Sequence, residues 1–135
     1  MKKITATKRD LVVLLRGLLD VQELPGKKLG TAVAHNIKVL EVELQDIEDM
    51  GTINPEFITI ANEVNRLVKE EKNEEAATLE KENGALLDER REQLAKIEVA
   101  LNNEGKVSLK TVLRKDLPAT ISGKQIYHIT SLLKD

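Results

Sequence analysis

The chain has 135 residues, 21 basic and 23 acidic side chains, no cysteine, and only two aromatic residues, Phe57 and Tyr127. The absence of cysteine excludes disulfides, thiolate nucleophiles and cysteine-ligated zinc, and no apolar run approaches the roughly 20 residues that span a bilayer. This length is typical of one domain, so we expect residues 1–135 to form a single helical domain with an aliphatic core.

The small net charge of −2 conceals a strong segregation along the chain. Residues 1–40 carry eight basic and three acidic side chains, residues 41–104 carry seven and eighteen, and residues 105–135 carry six and two. This pattern suggests that the two termini pack near each other, or that the basic ends of one chain contact the acidic middle of another. The simpler alternative is a set of exposed, glutamate-rich helices.

The first part of the chain predicts an extended segment and two helices. Residues 2–6 suit a short strand or an extended arm. Thr7 and Asp10 resemble a capping box, and leucines at helical spacing then predict a helix over 8–22. A Leu-Pro-Gly turn ends this helix, and an apolar stripe close to heptad spacing predicts a second helix over 28–49.

The middle of the chain predicts two further helices joined by a charged segment. Asn54 and Pro55 suit the cap and the first position of a helix over 55–72. Residues 69–84 are mostly charged, and we expect a projecting or flexible segment there. Leucines at helical spacing then predict a fourth helix over 85–97.

Two interpretations remain open for the segment that follows. Apolar and polar residues alternate over 97–101 and 106–112 on either side of turn-forming residues, which predicts a β-hairpin. In the alternative, the fourth helix continues to Asn103 and Gly105 stops it. The hairpin is the interpretation that we favour from the sequence.

The last predicted element is a helix over 123–134, which Ser122 and Gln125 open as a capping box. Together the elements predict a mainly α fold: an antiparallel long-helix bundle with a small β-hairpin near the C-terminus. Seams of leucine, isoleucine and valine would hold this bundle together, and such seams also pair between chains. We therefore expect a homo-oligomer.

No constellation of catalytic or metal-ligating residues stands out. Neither His35 nor His128 has an acidic or histidine partner at helical spacing, so we expect both to be structural; a histidine–glutamate site assembled across helices is the alternative. The carboxylates lie in charged runs that are typical of solvated helix faces. We therefore expect a protein that is not an enzyme, with no metal and no cofactor.

Two predicted helix starts carry lysine residues after a glycine. Lys27 and Lys28 open the second helix, Lys124 opens the last one, and backbone N–H groups at a helix N-terminus favour anions. If the chain ends pack together, these starts would form one basic pocket in which Lys27, Lys28 and Lys124 contact a phosphate or nucleotide. The alternative is two ordinary capped helix starts with exposed lysines, since the phosphate-loop motif is absent.

Nucleic acid and membranes are not expected partners. The net negative charge does not favour binding to DNA. Single strands usually stack on aromatic side chains, of which this chain has only two. The first residues lack the apolar stretch of a signal peptide, so we expect a cytoplasmic protein.

Several segments at the two ends of the chain carry a family resemblance. They are residues 24–27, 33–44, 98–101, 113–117 and 121–126. In this order they resemble a family of small uncharacterised accessory proteins encoded by tailed phages of Gram-positive bacteria. The resemblance implies a phage accessory protein in the host cell cytoplasm, transfers no catalytic residue, and does not include the acidic middle of the chain.

These observations favour a non-enzymatic phage accessory protein that acts by stoichiometric binding. It would inhibit a host defence or another host factor, through a face that binds a protein or through a basic pocket that captures an anionic, nucleotide-like ligand. The expected partners are a second copy of the chain and a host protein or an anionic small molecule. One alternative is a virion or assembly component, and another is an enzyme that degrades a nucleotide signal.

Overall fold

The computed structural model describes all 135 residues. The helices are α1 (Lys8–Val21), α2 (Lys27–Glu43), α3 (Gln45–Met50), α4 (Pro55–Lys69), α5 (Asn73–Glu82), α6 (Gly84–Asn102) and α7 (Gly123–Ile129), and the strands are β1 (Lys2–Thr7), β2 (Glu104–Leu109), β3 (Val112–Leu113) and β4 (Leu133–Lys134). Helical residues make up 70% of the chain, which confirms the mainly α class. No helix combines the length and the apolar character that crossing a membrane requires.

The chain divides into two compact units. Unit 1 comprises residues 1–46 and 100–135, and unit 2 comprises residues 47–99. Unit 1 carries 14 basic and 9 acidic side chains, whereas unit 2 carries 7 basic and 14 acidic ones. The charge segregation along the sequence therefore follows the division into units, because the two basic ends of the chain belong to the same unit.

The helix starts predicted at Thr7, Asn54 and Ser122 are confirmed. The Thr7 hydroxyl accepts a hydrogen bond from the backbone N–H of Asp10 at 3.2 Å. The Asn54 side chain caps α4, and Ser122 forms a complete capping box with Gln125 at the start of α7. Each cap satisfies an N–H group that the first turn of a helix leaves without a partner.

The β-hairpin predicted for 97–101 and 106–112 is wrong. Helix α6 continues to Asn102, close to the end that the alternative interpretation predicted, and only the second of the two segments contains an extended strand. That strand, β2, pairs antiparallel with β1 over six residue pairs, beginning with Lys2 opposite Leu109. Because its partner lies at the other end of the chain, local alternation of apolar residues did not identify it.

Three further boundaries differ from the predictions. The helix predicted over 28–49 is interrupted at Leu44, which separates α2 from α3. The segment 69–84 contains α5, and α4 gives way to α5 at Glu71, whose φ of 60° lies outside the helical region. The last helix is shorter than 123–134, because its final residues form a 3₁₀ turn and then β4, which pairs parallel with β3.

Unit 1 has an aliphatic core, as the composition predicted. Helix α1 packs against α2 and α7, and β2 lies against α2. The most completely buried apolar side chains are Leu11, Leu18, Val21, Leu29, Val33, Leu40, Leu109 and Ile129. These residues come from both ends of the chain, so the closure of unit 1 joins segments that are far apart in sequence.

Helices α1 and α7 approach each other closely at Gly17. A Cβ atom built at this position would lie 3.0 Å from the Cβ atom and 3.3 Å from the carbonyl oxygen of His128. Packed interiors do not absorb such an added atom without displacing a neighbour. The residue that weakens helix propensity in α1 is therefore required for the contact between the two helices.

We expect the substitution Gly17→Val to lower the free energy of unfolding by about 1–3 kcal/mol, because the added side chain overpacks the contact between α1 and α7. The matched control is Gly30→Ala in α2, where an added Cβ meets no atom within 4 Å. This control should not destabilise the protein, since alanine favours the helix by up to about 1 kcal/mol over glycine. Urea denaturation measures both effects, and a Gly17→Val variant as stable as the original chain would contradict the packing described.

Candidate anion-binding groove

A groove with a cavity volume of about 710 Å³ lies in unit 1. We call it the basic groove; its lining residues are Met1, Lys27, Lys28, Thr31, Ala32, Lys110, Thr111, Val112, Leu113 and Asp116. One wall is the N-terminal half of α2, and the other is the segment from the end of β2 to the following 3₁₀ turn. Its volume is in the range of small-molecule sites in proteins.

The basic groove carries more positive than negative charge. Lys27 and Lys28 extend from the first turn of α2, and Lys110 follows the last residue of β2. Asp116 supplies the only carboxylate of the lining, and its Oδ2 lies 3.9 Å from the Nζ of Lys28. Three lysines against one aspartate make the groove attractive to an anion, and most strongly at low ionic strength.

The first turn of α2 adds backbone donors to the same wall. Its N-cap is Gly26, whose φ of 122° is a conformation that residues with a side chain rarely adopt. No side chain caps this helix start. The first N–H groups of the helix therefore have no capping partner within the chain, and such groups together with the helix dipole favour negative charge.

A buried asparagine on α2 holds the opposite wall in place. The Asn36 side chain is only 1% exposed. Its Nδ2 donates a hydrogen bond to the carbonyl oxygen of Lys110 at 2.9 Å, and the N–H of Lys110 donates one to Asn36 Oδ1 at 2.7 Å. The side-chain amide thus pairs with the backbone just after β2, in the way that a neighbouring strand would. These two bonds fix the backbone of Lys110 relative to α2.

The sequence patterns did not identify Asn36 or Lys110 as residues of the candidate site. A signal for Asn36 existed, because it lies three residues after Val33 and four before Leu40, on the buried face of α2. A polar group on a buried face almost always has a hydrogen-bond partner. The identity of that partner could not be inferred from neighbouring residues, because Lys110 is 74 residues away from Asn36 in sequence.

The structure brings Lys27 and Lys28 to one groove but does not bring Lys124 there. Lys124 is exposed in the first turn of α7, and it is not among the lining residues of the basic groove. The third lysine of the lining is Lys110 instead. The two lysine-bearing helix starts therefore do not form one shared pocket.

The two histidines do not line the basic groove. The ring of His128 meets the ring of Tyr127 edge to face at a centroid distance of 5.8 Å. The Nε2 atom of His35 is buried and has no hydrogen-bond partner. No group of three or more histidine, aspartate or glutamate side chains is arranged to hold a metal ion.

The principal charge network of unit 2 centres on Arg66 in α4. The Arg66 guanidinium donates hydrogen bonds to the carboxylates of Glu63 and Glu70, and Lys72 lies 3.4 Å from Glu70. The hydrogen bond from Arg66 lowers the pKa of Glu63. Lys72, through a hydrogen bond, and Arg66, through its charge, lower the pKa of Glu70. The side chains of this network are about half exposed to solvent, which indicates a solvated helix face rather than a catalytic site.

We expect Asn36→Leu to lower the free energy of unfolding by about 1–3 kcal/mol, because leucine has a similar shape but leaves the N–H and carbonyl groups of Lys110 without partners. Urea denaturation measures this loss, and amide hydrogen exchange at Lys110 should become faster. The control is Asn62→Leu on an exposed position of α4, which should change stability by no more than about 0.5 kcal/mol. An Asn36→Leu variant with unchanged exchange at Lys110 would rule out the role assigned to this pair.

Comparisons with known proteins do not extend the argument from the residues. No protein-family model, curated protein sequence or solved structure matches this chain. The resemblance to accessory proteins of tailed phages therefore stays a prediction from the sequence.

Proposed function

We propose that this protein acts by binding without turnover, and that the basic groove of unit 1 captures an anionic small molecule that carries phosphate groups. The observation that supports this most strongly is the convergence of Lys27, Lys28 and Lys110 on one groove. These side chains extend from both walls, and the uncapped first turn of α2 lies beside two of them. Lysine is a compact point charge that suits phosphate oxygens.

The size and the apolar part of the groove favour a nucleotide-like ligand over inorganic phosphate alone. A volume of about 710 Å³ exceeds what one phosphate group fills. Met1, Ala32, Val112 and Leu113 provide apolar surface in the same lining. We propose that phosphate groups lie against the lysines and the start of α2, and that a less polar part of the ligand contacts these four residues.

The biological role that we propose is inhibition by stoichiometric capture. A protein that binds one ligand per chain lowers the free concentration of that ligand without any catalytic group. The resemblance to accessory proteins of tailed phages supports a target in host defence or host metabolism, in the cytoplasm of the host cell. In this role the amount of protein, rather than a rate constant, sets the extent of inhibition.

Isothermal titration calorimetry with ATP, pyrophosphate and inorganic phosphate tests the proposed site. At low ionic strength we expect ATP to bind with one site per chain and to bind more tightly than inorganic phosphate. The double variant Lys27→Ala/Lys28→Ala and the single variant Lys110→Ala should each weaken ATP binding by about tenfold or more, since a lost charge-assisted hydrogen bond is worth about 1.5–3 kcal/mol. Added salt should weaken the binding further.

The matched control for these variants is Lys124→Ala, which removes an exposed lysine at a helix start outside the groove. It should bind ATP like the original chain. The proposed site is contradicted if none of the three probes binds at low ionic strength, or if the groove variants bind ATP as tightly as the control. Release of phosphate from ATP at a rate proportional to protein concentration would contradict binding without turnover.

A further inference from the structure

Unit 2 leaves most of its apolar side chains uncovered. Among residues 47–99 only Leu67 and Ala76 are buried. Leu94 is 48% exposed and Val99 is 65% exposed, although both lie in the long helix α6. Helices gain most of their stability by packing apolar side chains, and packing within unit 2 covers many of its apolar side chains only in part.

One of these exposed side chains, that of Leu94, lines a groove between α4 and α6. We call it the helical groove; it has a cavity volume of about 310 Å³ and includes Phe57, Ile60, Ala61, Val64, Leu87 and Leu94 among its lining residues. Charged side chains of both signs, including Glu80, Arg90 and Arg91, also line it. The guanidinium of Arg90 lies over the ring of Phe57, 5.8 Å from its centroid.

We propose that a second copy of this chain covers the helical groove, with the two α6 helices antiparallel and centred on Leu94, and with α4 of each copy beside them. This arrangement is a four-helix assembly across two chains. It identifies which of the aliphatic seams in the sequence makes the homo-oligomer. It does not depend on the ligand proposed for the basic groove.

The spacing of residues along α6 is self-complementary about Leu94. Leu87 lies seven residues before Leu94, which places both on the same helix face. Arg91 lies three residues before Leu94 and Glu98 four residues after it, which puts both on the same flank of that face at 100° per residue. When a second α6 runs antiparallel about this point, Leu94 meets Leu94 of the other copy and Arg91 meets Glu98. A two-fold axis forms each of these ion pairs twice.

Charge disfavours nucleic acid and anionic lipids as occupants of the helical groove. Unit 2 carries 14 acidic and 7 basic side chains, so it repels the phosphates of nucleic acid and of anionic lipids. A second copy brings a further carboxylate to each Arg91, whose guanidinium lies 3.3 Å from Asp88 Oδ1 within its own chain. The apolar contact at Leu94 and the two Arg91–Glu98 pairs must outweigh the repulsion between two units that each carry seven more acidic than basic side chains.

Light scattering coupled to size-exclusion chromatography tests this interface through the mass in solution. The original chain should have twice the 15.1 kDa of one chain. Leu94→Asp, Arg91→Glu and Glu98→Arg should each shift the mass towards 15.1 kDa. The double variant Arg91→Glu/Glu98→Arg should regain the higher mass, because the reversed charges again face each other across the two-fold axis.

The control is Val42→Asp on α2, which alters a 77% exposed apolar residue of unit 1 and should leave the mass unchanged. Circular dichroism checks that each variant keeps its helices. If Leu94→Asp loses them, Arg91→Glu, Glu98→Arg and the double variant test the interface without it, since positions 91 and 98 are exposed. The proposal is overturned if the original chain stays at 15.1 kDa throughout the micromolar range. It is equally overturned if the double variant remains as dissociated as the single variants.

Discussion

The paired hydrogen bonds between Asn36 and the backbone of Lys110 are the interaction on which the second wall of the basic groove depends. A buried amide is costly without partners, and here it has both of them at 2.9 and 2.7 Å. The bonds join a helix from the first part of the chain to the end of a strand from the last part. They therefore connect the packing of unit 1 to the position of the basic groove, because Lys110 lines that groove opposite α2.

The local parts of this fold were predictable from the sequence and the long-range parts were not. Caps at Thr7, Asn54 and Ser122 involve residues two or three positions apart, so their signals were visible in short windows. The pairing of β1 with β2 and the contact of Asn36 with Lys110 join segments from opposite ends of the chain. Periodicity reports which face of an element is apolar, but it does not report which element covers that face.

The residues of the candidate site also fall into those that a local sequence pattern identifies and those that it does not. Lys27 and Lys28 were identified because they follow Gly26 at a helix start, a pattern with a physical reason to attract anions. Lys110 carried no pattern of its own, and it reaches the groove only because β2 ends against α2. Lys124 also follows a glycine at a helix start, but it does not line the basic groove. The helix-start pattern thus located two of the three lysines of the basic groove, and tertiary packing placed the third.

Two-dimensional NMR of ¹⁵N-labelled protein titrated with ATP shows whether the basic groove binds a phosphate-bearing anion. We expect saturable shifts of the backbone amides in the first turn of α2 and at Lys110, Thr111 and Val112, with little change at Lys124. Shifts centred on the start of α7, or no saturable shifts at low ionic strength, would contradict this expectation.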